Sequence, residues 1–145
     1  MSQTNELEIM ERIALDLEGV EESLASSFNT GAEDFNALIR PLSAAGGKRL
    51  RAQLCLLIAN AGTSVERQRI RIAEAVEMLH LATLIHDDVL DQAEIRRGED
   101  TIHMHKGNKV AILSGDYLFA KAFQIVSEMP NICLLYTSPS PRDCS

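Results

Sequence analysis

An all-α fold is predicted by three features of this chain. Hydrophobic residues make up 46% of it, while aromatic residues reach only 4% and Trp is absent. Apolar residues recur at three- and four-residue steps, the period of an amphipathic helix. Gly and Pro are few, 8 and 4 in 145 residues, and lie mostly between the apolar segments. The length suits one domain with its own core.

Met10, Ile13, Ala14, Leu17 and Leu24 follow the helical period and predict a first helix with an acidic outer face. Gly31 and its polar neighbours interrupt it. Phe35, Leu38 and Ile39 open a short helical piece that Pro41 is expected to end. Gly46-Gly47 reads as a flexible hinge. From Leu50 to Ala61 the chain is rich in Ala and Leu, which predicts a buried helix closed by Gly62. Another helix runs from about Glu66 through His80 to the aspartates, with Ile72, Val76, Leu79, Ala82 and Ile85 on one face. Gly98 to Asn108 predicts a loop. Asn108 is a candidate cap for a last helix carrying Val110, Leu113, Tyr117, Leu118 and Phe123.

From Asn131 onward the helical period stops, and Pro139 and Pro141 rule out a helix there. The expected organisation is a domain over residues 1–130 followed by a tail, 131–145, foreign to it.

The formal net charge is −7. Such a chain gains nothing from general affinity for nucleic acid, and no nucleic-acid partner is expected. The N-terminus has no basic region leading into an apolar run, and no stretch reaches the ~18 uninterrupted apolar residues of a membrane span. The three cysteines, Cys55, Cys133 and Cys144, form no CxxC pair. Reduced thiols and a cytoplasmic location, with no transmembrane segment, are expected.

Asp87 and Asp91 are four residues apart and share a helix face, with Asp88 beside them. Three like charges near the C-terminal end of a helix destabilise it when nothing cationic joins them. Mg²⁺ takes oxygen ligands, keeps several waters, and is commonly held by one or two carboxylates plus substrate phosphates. Alone, this spacing more often marks a solvated acidic face than a metal site. The apolar helix leading into it and the arginines after it favour the metal.

Arg96 and Arg97 offer forked donors suited to phosphate oxygens; ordinary salt bridges to Glu94 or Glu99 are the alternative. Gly46-Gly47-Lys48-Arg49-Leu50-Arg51 opens a helix, and Lys48 and Arg51, three apart, are expected to share a face and could grip one diphosphate; a solvated basic turn is the alternative. The segment lacks the spacing of a P-loop. His80 lies two turns before Asp87 on nearly the same face. His103 and His105 form a His-x-His pair, but no further ligands accompany them.

Taken together, Gly-Gly-Lys-Arg-Leu-Arg at 46–51, the run from Glu77 to Asp91 with its His80 and Asp-Asp-x-x-Asp, Arg96-Arg97-Gly98 and Gly115-Asp116-Tyr117-Leu118 resemble the trans-prenyl diphosphate synthase family, above all its long-chain polyprenyl branch. The likeness covers about residues 5–130. It implies an all-α helical bundle of the isoprenoid synthase type, here only its N-terminal half, around a deep cavity and usually dimeric. It also implies head-to-tail condensation of isopentenyl diphosphate with an allylic diphosphate, with Mg²⁺ as cofactor.

By that resemblance Lys48, Arg51 and His80 would hold isopentenyl diphosphate. Asp87 and Asp91 would bind Mg²⁺ with Asp88 in support. Arg96 would contact the allylic diphosphate and Arg97 isopentenyl diphosphate. The growing chain would pass Thr83, Ala82 and Leu79, where small residues imply a product longer than farnesyl. The family's second aspartate-rich motif and its downstream lysine do not occur in these 145 residues, so the chain alone is expected to be inactive. A non-catalytic subunit of a heteromeric prenyltransferase and a helical scaffold without chemistry are the other readings.

Overall fold

The computed structural model describes residues 3–44, 47–62 and 65–129. The described residues form six helices and one small hairpin. The segment 131–145, expected to be foreign to the domain, lies outside them, as do Gly46, Cys133 and Cys144.

Helix α1 (Gln3–Ser27) buries Ile13, Val20 and Leu24, with Phe28 just past its end. Ala14 was expected on this stripe but is exposed, because it stands about 100° round the helix from Ile13. Met10 is exposed as well. The stripe takes in Asp16 instead. Its buried carboxylate accepts hydrogen bonds from Arg69 Nε at 3.0 Å and Asn60 Nδ2 at 3.2 Å, which ties three helices together. Gly31, at φ 78°, makes the turn into α2 (Glu33–Ala44).

Pro41 does not end α2. The helix continues to Ala44 although the proline ring removes one backbone bond. Ile39 is fully buried before the proline and Leu42 packs on the core after it, and this burial holds the last turn in place.

Helix α3 (Leu50–Asn60) forms as expected, but it is not a buried helix. It buries Ala52 and Leu56 against α1 and α4, while Leu50, Leu54, Leu57 and Ile58 face outward. Composition showed an apolar helix; only packing shows that one side of it lacks a partner among the described residues.

The organising element is α4 (Glu66–Leu90), which packs against α1, α3 and α6. Because it has neighbours on several sides, Ala73, Ala75, Met78, Leu81, Ala82 and Ile85 are all buried.

The expected loop after Gly98 contains regular structure. Strands β1 (Ile95–Arg96) and β2 (Glu99–Asp100) pair antiparallel, and a short helix α5 (Ile102–Lys106) follows. Gly107, at φ 84°, then starts α6 (Asn108–Ser127), so Asn108 is the first helical residue rather than the cap.

Helix α6 lays Ala111, Ser114, Gly115, Leu118, Ala122 and Ile125 toward the interior. By length and composition α6 could cross a membrane, the one such helix among the described residues. Here it serves as the wall against which α4 packs, and Lys109, Asp116 and Lys121 lie along it.

Candidate active site

One face of α4 carries the candidate residues in order: Glu77, His80, Leu84, Asp88 and the terminal Asp91, spaced by three, four, four and three. The helix ends in a Schellman motif. The Ala93 N–H bonds the Asp88 carbonyl at 2.9 Å and the Gln92 N–H bonds the Val89 carbonyl at 3.3 Å. Gln92 occupies the left-handed position, φ 52°, where Gly is usual. The chain therefore turns back sharply, and the next residues return alongside the helix.

A two-residue hairpin turn follows. Arg97 (φ 53°) and Gly98 (φ 87°) both have positive φ, the signature of a type I′ turn, and Arg96 pairs with Glu99 across it. The turn is pinned at its base. Thr101 Oγ1 donates to the Ala93 carbonyl at 2.8 Å, His103 Nε2 lies 2.6 Å from the same oxygen, and the Thr101 N–H bonds the Glu94 carbonyl. His103 thus secures the turn, while His105 stands near Asp100. The His-x-His pair does not form a metal site among the described residues.

The return of the chain brings Arg96 onto Asp88. Arg96 Nε lies 2.8 and 2.9 Å from the two carboxylate oxygens, and Nη2 lies 2.7 Å from Oδ1. Its bond to Asp88 raises the Arg96 pKa, against a smaller opposing effect of burial, and Asp87 and Asp91 add to the rise. The Arg96 guanidinium therefore makes its ion pair with Asp88 rather than with Glu94 or Glu99. Asp88 is buried and committed to Arg96, while Asp87 and Asp91 are exposed. Asp87, Asp88 and Asp91 do not converge as a three-carboxylate metal site among the described residues. Two exposed carboxylates one turn apart, offering only oxygen, do fit Mg²⁺ with its remaining positions filled by water and phosphate.

On the other side lies a cleft of about 550 Å³. Lys48, Arg51, His80, Arg96 and Arg97, predicted from three separate stretches of sequence, all line it. Arg49 and Lys106 join them, so six cationic side chains face four carboxylates (Asp34, Glu77, Glu99, Asp100) and the cleft is net basic on an acidic chain. Gly47 does more than hinge: a Cβ there would stand 3.4 Å from the Arg97 guanidinium. Lys48 precedes α3 instead of sharing a helical face with Arg51, because α3 starts at Leu50.

The His80 pKa is lowered, chiefly by burial and by Arg51. Glu77 opposes this, and Arg97 and Arg96 add to it. His80 is therefore neutral at neutral pH, and a bound anion would draw a proton onto it.

Sequence reasoning missed two features. The first is Arg49, buried in the left-handed region at φ 47° and bonded to Glu21 and Glu77. Burial works against its charge, but those carboxylates outweigh it and hold the pKa above the ordinary value. The second is His86, whose Nε2 lies 3.1 Å from the Ile112 carbonyl and 3.3 Å from Asp116. Its imidazole rests on Gly115, where an added Cβ would collide with Nε2. Both depend on contacts between distant segments, and nothing local in the sequence marked either.

The chain-length residues differ in their surroundings. Ala82 is fully buried in the core, Leu79 is half-buried, and Thr83 is exposed with its hydroxyl bonded to the His80 carbonyl at 2.7 Å. None of the three lines the cleft. Ala82 faces the core because α4 has neighbours on that side as well.

A match to the polyprenyl synthetase family spans residues 32–139. The chain belongs to the polyprenyl synthetase family. Among its relatives is solanesyl diphosphate synthase 1, chloroplastic, of Arabidopsis thaliana, 35% identical over 130 residues, covering 86% of this chain and 32% of the relative. Octaprenyl diphosphate synthase of Escherichia coli is 33% identical over 127 residues, covering 88% and 39%.

Solved structures of the family superpose well. A decaprenyl diphosphate synthase from Rhodobacter capsulatus gives a TM-score of 0.79 at 32% identity, covering 88% of this chain and 40% of that one. A polyprenyl synthase from Caulobacter crescentus, complexed with calcium and isoprenyl diphosphate, gives 0.76 at 34% identity, covering 86% and 40%. The chain thus spans roughly a third to two fifths of these polyprenyl synthetases, and its helices take the fold of that part.

Proposed function

We propose that this chain supplies the diphosphate-binding face of a prenyltransferase that joins isopentenyl diphosphate head-to-tail to an allylic diphosphate. The observation that carries the reading is the convergence of Lys48, Arg51, His80, Arg96 and Arg97 on one basic cleft beside the exposed Asp87 and Asp91. In the reaction the allylic C–O bond breaks and inorganic diphosphate leaves. The isopentenyl double bond forms the new C–C bond, and a proton is lost.

Lys48, Arg51 and His80 would hold the isopentenyl diphosphate, with Arg97 reaching it from the hairpin turn. Arg96, steadied by Asp88, would face the allylic diphosphate and meet the negative charge that develops on it in the transition state. Asp87 and Asp91 would hold Mg²⁺, which when bound supplies further neutralisation of that leaving group. Its relatives, which include geranylgeranyl and solanesyl diphosphate synthases, differ in product length. The product of this enzyme is read as longer than farnesyl, its tail passing the small Thr83 and the half-buried Leu79. The reading includes a dimer, for which exposed Ile112, Leu113 and Phe123 on α6 are available.

Calorimetric titration with isopentenyl diphosphate tests the reading. Saturable binding is expected, weakened at least tenfold by Lys48→Ala or Arg51→Ala. Absence of binding, or binding indifferent to both substitutions, would remove its support.

A further inference from the structure

A carboxylate is out of place in a cleft built for anions, yet Glu77 lines it, 3% exposed, one turn before His80 on α4. On charge alone Glu77 would repel a diphosphate. Its bonds indicate another purpose. Oε1 accepts the Ala52 N–H at 3.0 Å, which satisfies one of the unpaired donors in the first turn of α3. Oε2 lies 3.5 Å from Arg49 Nη1. Arg49, 8% exposed, extends its fork to Glu21 of α1, with Nε 2.6 Å from Oε1 and Nη2 3.2 Å from Oε2. Its left-handed backbone, φ 47°, costs a non-glycine residue free energy that those bonds must offset. Turned inward, Arg49 leaves its neighbours Lys48 and Arg51 exposed at the cleft.

We propose that Glu77 is a positioning residue: through Arg49 and the Ala52 amide it sets the 48–51 turn so that Lys48 and Arg51 face the same diphosphate as His80. The inference rests on the functional reading above, but it assigns a role to residues outside the substrate-contacting set. It trades one unit of favourable charge in the cleft for alignment of two cations.

That trade makes the test sharp. Glu77→Gln keeps an oxygen for the Ala52 amide but no longer balances Arg49. If Glu77 acts only by charge, its neutralisation tightens binding of isopentenyl diphosphate. If it positions, binding weakens about tenfold at a temperature where circular dichroism shows the variant folded. Arg49→Lys, which keeps the charge but loses the fork, should also weaken binding about fivefold, and it serves as the test if Glu77→Gln does not fold. Measurable binding by the wild-type chain with unchanged or tighter binding by these variants overturns the positioning role and leaves the functional reading intact. No binding by the wild-type chain overturns the functional reading and this inference with it.

Discussion

Arg96 and Asp88 form the joint between the aspartate-bearing end of α4 and the basic cleft, and removing one partner tests how that joint is built. Truncating one member of a fully buried pair costs ~3–5 kcal/mol, because the other charge is stranded. In Arg96→Ala the stranded group is Asp88, whose side chain is 5% exposed, whereas Arg96 itself is 30% exposed. Part of the pair already meets water, so the expected loss falls to about 2–3 kcal/mol. The reverse change is milder. In Asp88→Asn an amide oxygen still accepts from Arg96, and the guanidinium can turn to solvent, for a loss of about 1 kcal/mol. Urea unfolding at neutral pH, followed by far-ultraviolet circular dichroism with the slope compared between variants, measures both. A loss under about 0.5 kcal/mol for Arg96→Ala would mark an ordinary surface pair and refute the joint. So would a larger loss for Asp88→Asn than for Arg96→Ala.

Gly115→Ala should destabilise the chain by ~1–3 kcal/mol in the same unfolding assay, since the added methyl meets the His86 ring, and His86→Ala in the same chain should restore part of the loss. His80 carries a pKa lowered from 6.5, so the unfolded chain binds its proton first as pH falls through that value. Stability should therefore decline below pH 6.5, and His80→Gln should flatten the dependence; thermal melts from about pH 7.5 to about pH 5.5 read this, and identical profiles would contradict it. In an active enzyme carrying this sequence, Thr83→Phe should shorten the prenyl product, read by chromatography of the dephosphorylated alcohols; unchanged length would remove Thr83 from the tail path.

The helices were legible because each buries at least one face, and burial at a 3.6-residue period leaves a trace in the order of residues. Hence α1, α4 and α6 were readable, and so were the basic motifs at 48–51 and 96–97 and the acidic motif at the end of α4. What stayed hidden depends on contacts between distant segments or on unusual backbone. Strands of two residues show no alternation, so the hairpin turned only on Arg97 and Gly98 adopting positive φ. The pairing of Asp88 with Arg96 required a reversal at Gln92, a residue that does not announce the left-handed region. Pro41 reads as a helix end until the burial on both sides of it is known. The outward apolar face of α3 is invisible in composition, which counts leucines without saying what they touch.

Under the proposed function, two diphosphates are held differently, one by the basic cleft and one by Asp87 and Asp91 through Mg²⁺. Titrating isopentenyl diphosphate and then farnesyl diphosphate into the chain, each with and without Mg²⁺, tests it most directly. Isopentenyl diphosphate should bind to a similar extent in both conditions. Farnesyl diphosphate should require Mg²⁺ and lose that requirement's benefit in Asp87→Asn. Farnesyl diphosphate binding that ignores both Mg²⁺ and Asp87→Asn would rule out a Mg²⁺-bridged site at Asp87 and Asp91.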